Sequence, residues 1–440
     1  MGKSLFQTAL LVLFGVALVI AVLIFAGILP GFRAQKIGQA GDLVVWGVFP
    51  DVSFRNIATS LKQADPAKFT LTYFDKGDNL DQALVEALAS GQGPDVIIAP
   101  HELILKHRDK FALIPFTSLP LRSYQDTFID ESSLFVGQNG FFALPLAIDP
   151  LLLYYNKDLY NNANLLKAPA NWEEFIKIQP ILTKVGQNNR LESSAFALGT
   201  FGNNNNAKDI LSLLILQAGG SPTVSNANQI SVTLDNDFGF TLKPAEAALN
   251  FFLQFADPAK STYCWNRSLP EARDSFLGEE LANYFGLASE APYLREKNSH
   301  LNFDLNIVPQ MTDSLPAQAG NRLTFGRLYG VAALKASTKL SAVWPMIFAL
   351  TGSDYSKQTA EALNMASARR GLLVPDPAKP DQKIVFDSAL ISRGWFDPAP
   401  AETRNIFQKM NDNAATGRLT SARAVAQAAG EISKLINPVE

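Results

Sequence analysis

Along residues 43–99 the apolar positions switch between two periods, and each switch marks an element. Leu43-Val-Val-Trp-Gly-Val48 is a continuous apolar run suited to a buried strand. Phe54, Ile57, Ala58 and Leu61 then recur at i, i+3, i+4 and i+7, one face of a helix. Residues 69–74 alternate as a strand does. Leu80, Ala83, Leu84, Ala87 and Leu88 mark a second helical face, opening near Asp78 and closing at Gly91. Val96-Ile-Ile-Ala99 supplies a third strand. This β-α-β-α-β order predicts an α/β fold with a mostly parallel sheet covered by helices.

Farther along, Asn171-Trp-Glu-Glu-Phe reads as a helix start, and residues 209–217 and 246–256 as apolar helices. Residues 365–371 and 414–435 predict a helical C-terminal third. At the other end, residues 9–29 form an uncharged apolar run. At about 1.5 Å per residue it reaches roughly 30 Å, the thickness of a hydrocarbon core. Secretory signals carry a shorter apolar stretch and then a small-residue cleavage site, whereas this run ends in Pro30-Gly31-Phe32-Arg33. It is therefore expected to be an uncleaved transmembrane anchor contacting the lipid bilayer. Lys3 precedes it and Arg33 and Lys36 follow it, a slight charge bias that points the body inward. Long domains translocate largely regardless of such a bias.

The chain has 440 residues, more than one hydrophobic core usually serves, so two lobes are expected. A net charge of -3 gives no electrostatic reason to expect a nucleic-acid partner. The single cysteine, Cys264, rules out an intramolecular disulfide and any multi-cysteine metal site. No phosphate loop, dinucleotide fingerprint, H-E-x-x-H or G-x-S-x-G occurs. His101, His107 and His300 lack ligand-spaced carboxylates, so no cofactor and no catalytic role is expected. His101-Glu102 follows a strand directly and is read as a loop contact to ligand or solvent.

Four segments carry a family resemblance. They are Leu43-Val-Val-Trp-Gly-Val48, Ala87-Leu-Ala-Ser-Gly-Gln-Gly-Pro-Asp-Val-Ile-Ile-Ala99, Leu144-Pro-Leu-Ala-Ile-Asp-Pro-Leu-Leu-Leu-Tyr-Tyr-Asn-Lys-Asp-Leu159 with Asn171-Trp-Glu-Glu, and Phe276-Leu-Gly-Glu-Glu-Leu-Ala-Asn-Tyr-Phe-Gly286. Together, in this order and spacing, they resemble the extracellular solute-binding proteins of ABC importers, the family that includes maltose-binding proteins. The resemblance implies a two-lobed, periplasmic-binding-protein-like type II fold. Its expected parts are an anchor at 1–32, a linker at 33–42, and a first lobe at 43–148 continued by about 325–374. The second lobe is expected at 149–324, continued by about 375–440. Crossings between lobes would fall near 147–151, 323–327 and 373–376.

In open α/β sheets the ligand crevice lies beyond the carboxyl ends of the strands. That rule and the resemblance together nominate Trp46, Phe49, Pro100, His101, Glu102, Asp149, Tyr155, Asn203, Asn204, Gly286, Phe325 and Trp395 as ligand-binding residues. Several have a second reading. Trp46 serves a core as readily as a ligand platform, one of Tyr154 and Tyr155 belongs to the core, and the Asn203–Asn206 loop is equally a solvated turn. Trp395 resembles a stacking aromatic of relatives, whereas Leu287 and Ala288 stand where relatives place an aromatic and cannot stack. The expected function is capture of a small polar solute, a carbohydrate by resemblance, for delivery to an ABC permease from the outer face of the membrane. Two alternatives stay open: a sensor input of the same fold, and a glycan-acting enzyme using Glu102 and Asp149.

Overall fold

A computed structural model describes residues 41–64, 69–187, 190–226, 229–311 and 322–436. The expected anchor at 9–29 lies outside the described residues; among those described, no helix is long and apolar enough to cross a membrane.

Strands β1 (Gly41–Gly47), β2 (Phe69–Asp75) and β3 (Val96–Pro100) pair in parallel, with β1 in the middle. β1 thus begins within the stretch expected as linker. The helix Asp51–Ala64 connects the first two strands. All four positions of its predicted face, Phe54, Ile57, Ala58 and Leu61, are buried. Burying each of the larger ones contributes roughly 1.5–3 kcal/mol. The second helix, Leu80–Ser90, stops where Gly91 turns left-handed at φ 69°, a conformation glycine adopts without a Cβ penalty.

Beyond a small ribbon of β4 (Ile114–Pro115) and β5 (Gly140–Phe141), the chain enters the long strand β6 (Leu144–Asn156). The remaining strands are β7 (Lys184–Val185), β8 (Leu191–Phe196), the hairpin β9 (Thr223–Asn226) and β10 (Gln229–Val232), β11 (Leu281–Leu287), β12 (Phe303–Ile307), β13 (Thr324–Ala333), β14 (Ala366–Ser367) and β15 (Ser392–Arg393). The first half of β6 pairs antiparallel with β13 and β14, and its second half with β11 and β12. β13 in turn pairs antiparallel with β3. The predicted parallel sheet therefore holds for β1–β3, while the strands joining the two halves run antiparallel.

Successive residues of a strand face opposite sides, and β6 uses this to serve two cores. Leu152 and Tyr154 pack with Leu43, Val45, Phe54 and Val96 in one. Leu151 and Leu153 pack with Phe175, Phe196, Leu211, Phe252 and Phe407 in the other. The Asn171 start is realised: its Oδ1 accepts from Glu174 N at 2.9 Å and caps the helix Trp172–Leu182.

Two helical expectations are corrected. Residues 365–371 do not form a helix, because Ala366 and Ser367 add the short strand β14 to the free edge of β6. The segment 414–435 is not one helix: Pro400–Ala415 ends before Gly417, which has φ 68°, and a second helix, Ser421–Ile436, packs back on it.

Candidate functional site

The end of β1, the end of β3 and the middle of β13 converge on a cleft between the two halves, with a volume of about 750 Å³. β1 delivers Val48 and Phe49, and β3 delivers Pro100, after which the chain turns into the helix His101–Lys106 and presents Glu102. β13 contributes Arg327 and Tyr329 to the floor. The opposite wall comes from Lys208 at the start of helix Ala207–Gln217, from Ser289 just after β11, and from Arg404 in helix Pro400–Ala415.

Arg327 is the electrostatic centre. Its Nη2 donates to Asp209 Oδ2 at 3.1 Å, and its Nε stands 3.7 Å from Glu102 Oε1. Burial opposes the charge on Arg327, but Asp209 and Glu102 outweigh it and strengthen its hold on the proton. Burial alone would raise the Glu102 carboxyl; His101, Arg327 and Lys208 outweigh it and hold the group well below the usual carboxylate range. Glu102 Oε2 is buried without a hydrogen-bond partner, 3.4 Å from His101 Nδ1, while Oε1 is the oxygen turned toward Arg327. Lys208 pairs with Asp397, while Arg404 donates to the Asn205 carbonyl at 3.0 Å. The aromatic surface of the cleft comes from Phe49, Tyr293 and Tyr329; all five tryptophans are described and none lines it. Such an arrangement offers hydrogen-bond donors beside acceptors, suited to a polar solute. Among the described residues no group of histidine, cysteine and carboxylate side chains is arranged to hold a metal ion.

Of the residues nominated from sequence, Phe49, Pro100 and Glu102 are brought together in the cleft. His101 lies directly behind it, fully buried, where its Nδ1 accepts from Leu328 N at 3.2 Å and burial lowers its pKa. Asp149 is buried beneath the wall: its carboxylate accepts from Ser289 N at 3.0 Å and Ser289 Oγ at 2.6 Å. Burial pushes Asp149 up to about 7, with the Ser289 bonds and Arg327 opposing.

The other nominees sit elsewhere. Trp46 is half-buried on β1 under Lys76, whose Nζ stands 4.3 Å from the ring centroid. Tyr155 packs on Tyr160 in the second lobe, and its neighbour Tyr154 is the core residue of the pair. The Asn203 amide donates to the Asn266 and Leu269 carbonyls, and the Asn204 amide to the Ala197 carbonyl, so both bind the loop to its own lobe. Gly286 is buried in β11, where a Cβ would stand 2.5 Å from the Tyr284 ring. Phe325 and Trp395 belong to the second core, and the Trp395 indole donates to Ser212 Oγ at 3.0 Å.

Lys208, Ser289, Arg327, Tyr329 and Arg404 were missed from the sequence. One signal was available: Arg327 is the single charged residue in the otherwise buried run Thr324-Phe-Gly-Arg-Leu-Tyr-Gly-Val-Ala-Ala333, and buried charge is rare without a purpose.

Two α/β lobes joined by crossing strands, with a polar cleft between them, define a solute-trapping architecture. The chain belongs to the bacterial extracellular solute-binding protein family, whose model matches residues 68–360. Solved structures share the fold at low identity. The GacH receptor of Streptomyces glaucescens, solved unliganded and with acarbose, aligns with a TM-score of 0.70 at 15% identity, over 91% of this chain and 100% of that one. A cyclo/maltodextrin-binding protein complexed with maltotetraose aligns with a TM-score of 0.72 at 16% identity, over 92% and 100%. UgpB from Mycobacterium tuberculosis, complexed with glycerophosphocholine, aligns with a TM-score of 0.69 at 16% identity, over 91% and 99%.

Proposed function

We propose that this protein captures a small polar solute, a carbohydrate, in the interlobe cleft and delivers it to an ABC permease. The observation that carries this reading is the cleft itself: donors and acceptors from both lobes meet across about 750 Å³, at the carboxyl ends of β1 and β3. Phe49, Pro100 and Glu102 would contact solute from a first lobe spanning 43–148 and 325–374. Lys208, Ser289 and Arg404 would contact it from a second lobe spanning 149–324 and 375–440, with Arg327 and Tyr329 between. The acarbose and maltotetraose complexes of proteins with this fold support the carbohydrate class.

Closure follows from population shift, because a solute bridging both walls binds the closed state better than the open one. No covalent step is required. Glu102 faces the cleft while Asp149 is engaged by Ser289 beneath it, so the two are not presented as a catalytic pair. Residues 9–29 would hold the body on the extracytoplasmic face, which raises its effective concentration near a permease.

A thermal-shift screen of the full-length protein against mono- and oligosaccharides tests the reading. A bound sugar at a hundredfold over Kd should stabilise the fold by about 2.7 kcal/mol. Stabilisation by peptides or polyamines alone would replace the carbohydrate class with theirs.

A further inference from the structure

We propose that Arg327 is the positioning residue that couples the two lobes and holds the solute-binding groups in register. This inference rests on the interlobe cleft being the solute site.

Arg327 lies on β13, opposite Asp149 of β6 in the antiparallel register. The guanidinium therefore sits where the crossing strands run side by side. Its two carboxylate partners come from different lobes. Glu102 follows β3, beside Leu103 and Ile104 of the first core. Asp209 opens a helix whose Ile210 and Leu211 lie in the second core. No rotation of one lobe against the other leaves both spacings, 3.7 Å and 3.1 Å, unchanged. Attraction between charges in a partly buried site is strong and depends on separation, so the pairings favour one interlobe angle. Asp149 ties the same place to the second lobe through Ser289, which itself lines the cleft.

The guanidinium carries five N–H donors in a fixed fork, more than its two carboxylate partners need in this geometry. Part of its side chain remains accessible at the cleft floor, and Glu102, whose Oε1 stands 3.7 Å from Arg327 Nε, lines the same cleft. A solute that donates to Glu102 and accepts from Arg327 would complete this set only while the lobes hold their angle. Asp209 is buried and outside the cleft lining. Its contribution to binding must therefore pass through Arg327.

The test uses spin labels at Val85→Cys and Leu166→Cys, exposed positions on the first and second lobes. The one native cysteine, Cys264, is buried with its thiol pushed up to about 12, and stays unlabelled. Interlobe distances are measured by pulsed electron resonance in the solute-free protein. Asp209→Asn and Arg327→Gln should each lengthen the mean distance and broaden its distribution, and Asp209→Asn should add nothing further in the Arg327→Gln background. An unchanged distribution in Asp209→Asn, or fully additive effects, overturns the proposal. The isosteric Asp209→Asn keeps the test decisive if Arg327→Gln fails to fold. Thermal shifts of the labelled parent with maltotetraose and glycerophosphocholine test the solute reading separately. Failure of both with the distance result intact would remove those solutes and leave the coupling standing.

Discussion

Glu102 and Asp149 are both buried carboxylates near Arg327, yet their surroundings push them in opposite directions. Glu102 is held ionised by neighbouring cations, whereas Asp149 is raised from 3.8 to about 7 by burial. The sign of the stability effect follows from proton counting. Between about pH 4 and 7 the folded state keeps a proton on Asp149 that the unfolded chain has lost, so this group destabilises the fold progressively as pH rises. Removing the titration with Asp149→Asn should therefore change the pH profile. In chemical denaturation, the parent should gain stability relative to the variant on the order of 2 kcal/mol as pH falls from about 7 to about 5. A difference that stays flat with pH would show that Asp149 is ionised throughout. Residues such as Glu102 were legible in the sequence because they directly follow a strand. Arg327, Lys208 and Arg404 were not, because they reach the cleft from separate stretches of chain. The amides of Asn203 and Asn204 looked free for the same reason: their carbonyl partners at 266, 269 and 197 are brought to them only by folding.

Most elements with a local signal were read correctly, the break at Gly417 being an exception, whereas β14, set by pairing with a distant strand, was not. The 51–64 helix carries its evidence in four spaced apolar residues, and the Asn171 cap carries its own in one side chain. By contrast, Ala366 and Ser367 have the composition of a helix but meet the open edge of β6, and the ladder bonds decide their conformation. The crossing strand β13 makes a stricter demand. Gly326 packs so closely that a Cβ would stand 2.6 Å from Ser392 Oγ and 2.9 Å from Glu131 Oε2. Both neighbours are buried, and Glu131 finds no hydrogen-bond partner for either oxygen. Gly326→Ala should cost about 1–3 kcal/mol in urea unfolding, an overpacking penalty. A neutral substitution would mean that β13 and β15 separate without cost.

At the scale of the whole molecule, two lobes were legible from length and from the four family segments, and the chain's place in the solute-binding family follows from the match over residues 68–360. How the lobes share strands was not legible, because β6 and β13 each serve both halves and their pairing joins residues far apart in sequence. The proposed anchoring, with the body facing outward, makes its own prediction. Protease added to intact cells should remove the body while residues 9–29 stay with the membrane; a fully protected body would contradict an importer role. The cleft as the place of capture is tested most directly by calorimetric titration of the full-length protein with the sugar that shifts its melting, alongside the Glu102→Gln variant. The expected result is one saturable site in the parent, weakened about tenfold or more in the variant through loss of a charged hydrogen-bond acceptor. Equal affinity in a correctly folded variant would place the solute somewhere other than this cleft.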